Sequence, residues 1–351
     1  PENAAAYEMY TGFRSAWAGF LQSKNDRAEK PAARVAVIQN RAVMDNVDCF
    51  DIGGGYAPLS IASDLIEQNY LYDGLAYPLD DPADLERYDV IVLTAFESPR
   101  EIPALLRKWL EAKPGRTLIT HSDIPNRIAA PVRSLAEADA PFRRGEGAAI
   151  LGLPELRPGQ LREGNLVSDL PALASFNGRK FKLPIPPAEA SGGNVLASLG
   201  GAPLLSEFPV GKSRILYLHN APVSSGIQSR ALQKALTAAA LERAGIRPQA
   251  TAPASHRVLV FQCGDGRKVL FIIDVQAETA MSRDGKVYRV YQAKNPAAAA
   301  TVFLAAEPER KYRLTNMITG ESVTADSDRD GRLPISCAGW NLLGLYLEPA
   351  E

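Results

Sequence analysis

At 351 residues, 46% hydrophobic and 23% charged, the chain has the composition of a globular protein and room for two or three domains of roughly 100 to 200 residues each. A formal net charge of -1 supplies no field to draw in a polyanion, so nucleic acid and anionic membrane surfaces are not expected partners. Cys49, Cys263 and Cys337 are too widely spaced for a disulfide framework or a CxxC site, and His121, His219 and His256 show neither HExxH nor HxxxH spacing, so no metal and no other cofactor is expected.

Tyr7, Tyr10, Phe13, Arg14, Trp17, Phe20 and Leu21 recur at spacings of three and four, which makes an amphipathic helix whose aromatic face needs a partner. Packing against this or a preceding domain is the reading taken, with a sugar-stacking surface around Trp17 as the alternative. The chain opens at Pro1 inside this helical approach, and a natural region upstream of it is expected. No stretch approaches the roughly 18 apolar residues of a membrane span, so no membrane partner is expected. The N-terminus also lacks a charged-then-apolar signal pattern. Sparse cysteine fits cytoplasm and periplasm alike.

Residues 1–30 are thus an N-terminal helix and linker, and an α/β domain is expected over 31–250. Arg34–Ile38, Val90–Leu93, Thr117–Thr120 and Gly211–Leu218 read as apolar strands, separated by helices at Leu59–Tyr70, Ile102–Ala112 and Ser229–Ala244. Such alternation predicts a doubly wound parallel sheet. Its rhythm breaks over about 131–210, a Pro-, Gly- and Arg-rich stretch expected to be an irregular insertion with a few antiparallel strands near Asn194–Leu199 and Pro203–Phe208. Gly245 and Pro248 close the last helix. From residue 251 to 351, short Val-, Ile-, Phe- and Tyr-rich runs alternate with Gly264-Asp265-Gly266, Asp284-Gly285, Thr319-Gly320 and Asp330-Gly331, the pattern of a small antiparallel β-sandwich.

Few residues carry chemistry. A hydrolytic α/β domain needs a nucleophile on a Gly-flanked elbow with a His in reach. The turn Ile119–Pro125 offers His121 and Ser122 without the glycines, and a helix-capping role for Ser122 or Asp123 fits better. Cys49 lacks a basic neighbour and reads as a structural thiol. Gly53-Gly54-Gly55 fits neither phosphate-loop pattern. Asn40, Arg41, Asp45 and Asn46, after the first strand, are the candidate binding residues, because ligands of open α/β sheets gather outside strand carboxyl ends. A solvated or interface loop is the competing reading. Tyr288, Tyr291, Tyr312, Trp340 and Tyr346 mostly fall at alternating core positions of the β-rich tail, against a sugar-binding face there.

Three segments resemble family-42 glycoside hydrolases, bacterial β-galactosidases and their relatives, downstream of the catalytic barrel. They are Tyr7-Glu-Met-Tyr-Thr-Gly-Phe13 leading into Arg34–Ile38, the Gly-rich strand-turn-strand Asn194–Leu218, and the hairpin Tyr312-Arg-Leu-Thr-Asn-Met-Ile-Thr-Gly-Glu321. Ser213 stands where the family's Gly-Lys-Gly-Arg has its second glycine. The resemblance implies a flavodoxin-like fold of the class I glutamine-amidotransferase type, without amidotransferase chemistry, that builds a trimer interface, followed by the sandwich. The family's catalytic glutamates belong to the barrel, so no catalytic residue is carried over. The reading that follows is a non-catalytic oligomerisation or accessory region of a glycoside-hydrolase-like protein, with a homo-oligomer or an upstream barrel as partner. The alternatives are an amidotransferase-like or esterase-type hydrolase using His121 and Ser122, and a module that binds carbohydrate.

Overall fold

A computed structural model describes residues 33–40, 64–77, 79, 82–93, 101–121, 146–153, 160–185, 193–219, 227–253, 255–263, 266–274, 277–281, 287–291, 300–340 and 342–350. The expected N-terminal helix, Cys49, the Gly53–Gly55 run and the Asp284-Gly285 turn lie outside these residues. The described residues divide into two compact units, one within 34–65 and 72–247, the other within 66–71 and 248–351 together with Ala33.

The first unit is organised on a nine-stranded sheet. β1 (Val35–Asn40), β2 (Asp73–Tyr77) and β3 (Val90–Leu93) are followed by helix α1 (Glu101–Ala112), β4 (Thr117–His121) and the short helix α2 (Glu146–Leu151). Then come β5 (Gln160–Ser168), β6 (Lys180–Ile185), β7 (Asn194–Leu199), β8 (Ala202–Val210), β9 (Ser213–Leu218) and helix α3 (Ile227–Arg243). The spatial order is β2-β1-β3-β4-β9-β8-β7-β5-β6. From β2 to β9 neighbouring strands pair in parallel, whereas β9-β8-β7-β5-β6 is antiparallel throughout. The sheet is therefore mixed, where alternating strands and helices led us to expect a parallel one. The stretch read as an irregular insertion supplies four strands that extend that same sheet. Among its described residues, Gly164, Pro184, Pro203 and Pro209 lie within strands.

Burial explains the parallel half. Val35, Ala36, Val37 and Ile38 are all buried, as is every residue of β3, the continuous apolar character of strands covered on both faces. α1 contributes Ile102, Leu106, Trp109 and Leu110 to the core with Ile91, Leu118, Ile215 and Tyr217. β2 escapes the sequence reading because its Asp73-Gly74 opening looks like a turn. At the far side, β5 and β7 approach so closely that a Cβ on Gly164 would lie 2.5 Å from the Gly200 Cα. The end of α3 is as read: Gly245, at φ 80°, takes the left-handed conformation that glycine adopts without strain.

The second unit contains β10 (Ala250–Thr251), β11 (His256–Gln262), β12 (Lys268–Asp274), β13 (Ala277–Met281), β14 (Val287–Tyr291), β15 (Thr301–Ala305), β16 (Lys311–Asn316), β17 (Ser322–Asp326), β18 (Arg332–Ser336) and β19 (Leu342–Pro349). They form a five-stranded sheet β11-β12-β19-β16-β17, a three-stranded sheet β10-β15-β18 and the two-stranded ribbon β13-β14, all antiparallel. Val258, Leu270, Ile272, Leu314 and Leu345 of the larger sheet share one core with Val302, Leu304, Leu333 and Ile335 of the smaller, which is the face-to-face packing of a sandwich. Residues 66–71 join this unit through Asn69, whose side-chain oxygen accepts the Val258 N–H at 2.9 Å.

The β16–β17 hairpin follows from its sequence. Asn316 Oδ1 accepts the N–H groups of Ile318 at 2.8 Å and Thr319 at 3.1 Å, and Gly320 takes φ 73°, the left-handed turn position expected of Thr319-Gly320. Tyr312 is buried in the sandwich core, while Trp340 and Tyr346 are partly buried against the apolar clusters. The side chains of Tyr288 and Tyr291 lie outside the described residues.

Candidate functional site

Two edges of the parallel half differ in kind. At the amino edge, charged side chains stitch strand starts together. Arg34 Nε meets Asp89 at 2.7 Å with Lys113 Nζ 3.5 Å from the same carboxylate, and Asp73 receives Arg87 Nη2 and the Tyr88 hydroxyl, both at 2.7 Å. Burial and the Asp73 carboxylate push the Tyr88 phenol well above its ordinary value, so it remains a hydrogen-bond donor. Arg116 is buried over the Trp109 ring, with its Cζ 4.9 Å from the ring centroid. Its Nη1 donates to the Trp109 carbonyl at 2.7 Å and its Nη2 to Glu86 Oε2 at 2.6 Å. Trp109 lies in the last turn of α1, where carbonyls lack helical partners and a cation complements the helix dipole. This edge is structural.

The carboxyl edge is where an open α/β sheet binds ligands. Register aligns its strand ends: Ile38 is level with Leu93, Leu93 with Thr120, and His121 with Leu218. Asn40 and His121 therefore terminate β1 and β4 on one edge, with β3 between them. Their side chains, and all of Arg41, Asp45, Asn46 and Ser122, lie outside the described residues.

One group at this edge was not singled out in the sequence. His219 directly follows β9, one residue beyond the partner of His121, so the β4–β9 pairing brings two histidines about 100 residues apart in sequence to adjacent strand ends. The His219 Nε2 lies 2.8 Å from the Ser206 Oγ of β8, and its ring meets Tyr217 edge-on with centroids 4.8 Å apart. Burial pushes the imidazole down to about 4, so it is neutral at pH 7. A serine hydroxyl on a neutral imidazole is the first contact of a nucleophile-base pair. Here both residues are buried, at 2% and 1% exposure, and the contact ties β8 to the end of β9. No sequence signal marks the pair, because strand pairing alone brings it together. Among the described residues no group of three or more His, Cys, Asp or Glu is placed to hold a metal ion.

No family model matches the sequence, and no curated protein does. Solved structures do. The β-galactosidase from Bacillus circulans sp. alkalophilus matches with TM-score 0.56 and 18% identity, over 91% of this chain and 42% of that one. Gan42B, a GH42 β-galactosidase from G. stearothermophilus, matches with TM-score 0.54 and 13% identity, over 91% and 40%. The α-L-fucosidase isoenzyme 2 from Paenibacillus thiaminolyticus matches with TM-score 0.59 and 12% identity, over 92% and 49%. At these identities the likeness is one of fold. The chain spans less than half the length of each of these proteins, and shares the fold of that part of known glycoside hydrolases.

Proposed function

We propose that this chain is a non-catalytic oligomerisation and accessory region of a larger glycoside-hydrolase-like protein, related to the family-42 β-galactosidases. The observation that carries it is the match itself, which runs through nine-tenths of this chain yet only 40–42% of the two β-galactosidases. The order of the parallel strands supports the finer reading. Numbered along the chain, β2-β1-β3-β4-β9 is the order 2-1-3-4-5 of flavodoxin-like folds, the core that an amidotransferase-like domain uses. In this reading the α/β domain of residues 31–250 presents a subunit interface, a homotrimer interface by the resemblance, and the sandwich of 251–351 is accessory to it. Substrate chemistry belongs to a separate catalytic barrel.

The test is light scattering on this chain, and on the full-length protein that contains it, across micromolar concentrations. The expected result is a discrete oligomer. Monomers in both would refute the proposal.

A further inference from the structure

The three-stranded sheet of the sandwich carries an aromatic that the core does not use. Along β15 and β18 burial alternates: Val302, Leu304, Leu333 and Ile335 point inward, and the residues between them face out. Phe303 is 40% exposed, at the middle of the central strand. Register places Pro334 beside it on one flank and Thr251 on the other. These neighbours are low, and they leave the ring standing on an open face. Thr301 pairs with Ser336 at one end of the row, and Ala305 with Arg332 at the other.

The Arg332 guanidinium is held in place. Its Nε donates to Asp328 Oδ2 at 2.8 Å and its Nη2 to Asp330 Oδ2 at 3.1 Å. Asp328 Oδ1 in turn accepts the backbone N–H groups of Arg332 at 2.8 Å and Asp330 at 3.0 Å. One planar cation and two carboxylates thus sit beside the aromatic row, and the cation is already compensated.

We propose that this face binds a neutral oligosaccharide, with Phe303 stacking on the C–H face of a hexopyranose ring while the Thr301 and Ser336 hydroxyls and the Arg332–aspartate cluster hydrogen-bond its hydroxyls. Size and charge select this occupant. Two strands of five residues and one of two, about 4.8 Å apart and rising about 3.4 Å per residue, give a face of about 200 Å². A stable protein partner buries about 800 Å² on each side. An anionic ligand would meet the Asp328 and Asp330 carboxylates that already compensate the Arg332 guanidinium. A pyranose has the required mixed character, with an apolar face for the ring and hydroxyls at its rim. The inference shares the carbohydrate context of the proposed function but needs no oligomer, so a monomeric chain would leave it standing.

Isothermal titration of the intact chain with cellotetraose and with β-1,4-galactotetraose tests it, comparing the unsubstituted chain, Phe303→Ala, and Val323→Ala on the exposed strand β17 as a control. The expected result is saturable binding of at least one probe, weakened about tenfold or more by Phe303→Ala because the stacked apolar area is lost, and unchanged by Val323→Ala. Absence of heat with both probes overturns the proposal, and so does equal binding by Phe303→Ala. Sugar-independent self-association that Phe303→Ala abolishes would assign the face to a second copy and overturn it as well.

Discussion

Arg116 provides the sharpest test of how the amino edge is held. Its side chain is 1% exposed while that of its partner Glu86 is 61% exposed, so the pair is asymmetric. Replacing Arg116 by Met keeps most of the volume over Trp109 but removes the donors to the Trp109 carbonyl and to Glu86. No charge is left buried, because the Glu86 carboxylate reaches water. The loss of a buried charge-assisted hydrogen bond to a helix-end carbonyl then dominates, at about 2 to 3 kcal/mol. Glu86→Gln removes only a solvent-screened partner and should cost much less than Arg116→Met. Urea unfolding followed by Trp109 fluorescence, in a background carrying Trp17→Phe and Trp340→Phe, reports on this unit directly. The midpoint should fall in Arg116→Met with the denaturant slope unchanged. Equal losses in the two variants, or a cost below about 0.5 kcal/mol for Arg116→Met, would refute the assignment of the energy to the buried carbonyl contact.

Gly164→Ala should destabilise the nine-stranded unit by about 1 to 3 kcal/mol, because the added Cβ meets Gly200 backbone that cannot swing aside. Thermal melting checks it, and an unchanged melting temperature would mean that β5 and β7 are not so closely paired. His219 predicts a pH dependence. Its folded value, about 4, lies below the ordinary value of about 6.5, so the unfolded chain binds the proton more readily. Its contribution is complete above pH 6.5 and is lost as pH falls towards 4. His219→Asn should therefore lose about 2 kcal/mol less stability than the parent chain between pH 7 and 4.5, measured as the difference between urea midpoints. Parallel pH profiles would show that the imidazole is not buried neutral.

Much of the fold is legible in the sequence where local chemistry and tertiary context agree. Val90–Leu93 and Thr117–Thr120 are apolar enough to be strands buried on both faces, and α1 shows its core stripe in Ile102, Leu106, Trp109 and Leu110. The hairpin at Asn316–Glu321 is encoded by one asparagine and one glycine. β2 is not legible, since Asp73-Gly74 resembles a turn and only pairing with β1 makes it a strand. The same holds for β5 and β6, whereas β7 and β8 are legible as strands at Asn194–Leu199 and Pro203–Phe208, though not their place in the main sheet. Of the candidate site, the position of Asn40 and His121 at strand carboxyl ends follows from the βα rhythm. Ser206 against His219, and Phe303 between Thr251 and Pro334, do not follow from it.

The sequence by itself determined the change from α/β alternation to short antiparallel strands near residue 250, the buried strands and helix of the parallel half, and the turn residues of the sandwich. These depend on side-chain polarity and on backbone preferences within a few residues. Only the tertiary structure decided that the sheet continues antiparallel beyond β9, that two distant histidines end neighbouring strands, that Arg116 caps α1 while lying over the Trp109 ring, and that Phe303 faces outward. Each of these rests on strand register or on packing between segments far apart in the chain. A one-residue slip in register would turn every such side chain to the opposite face, and no local pattern fixes register across such separations.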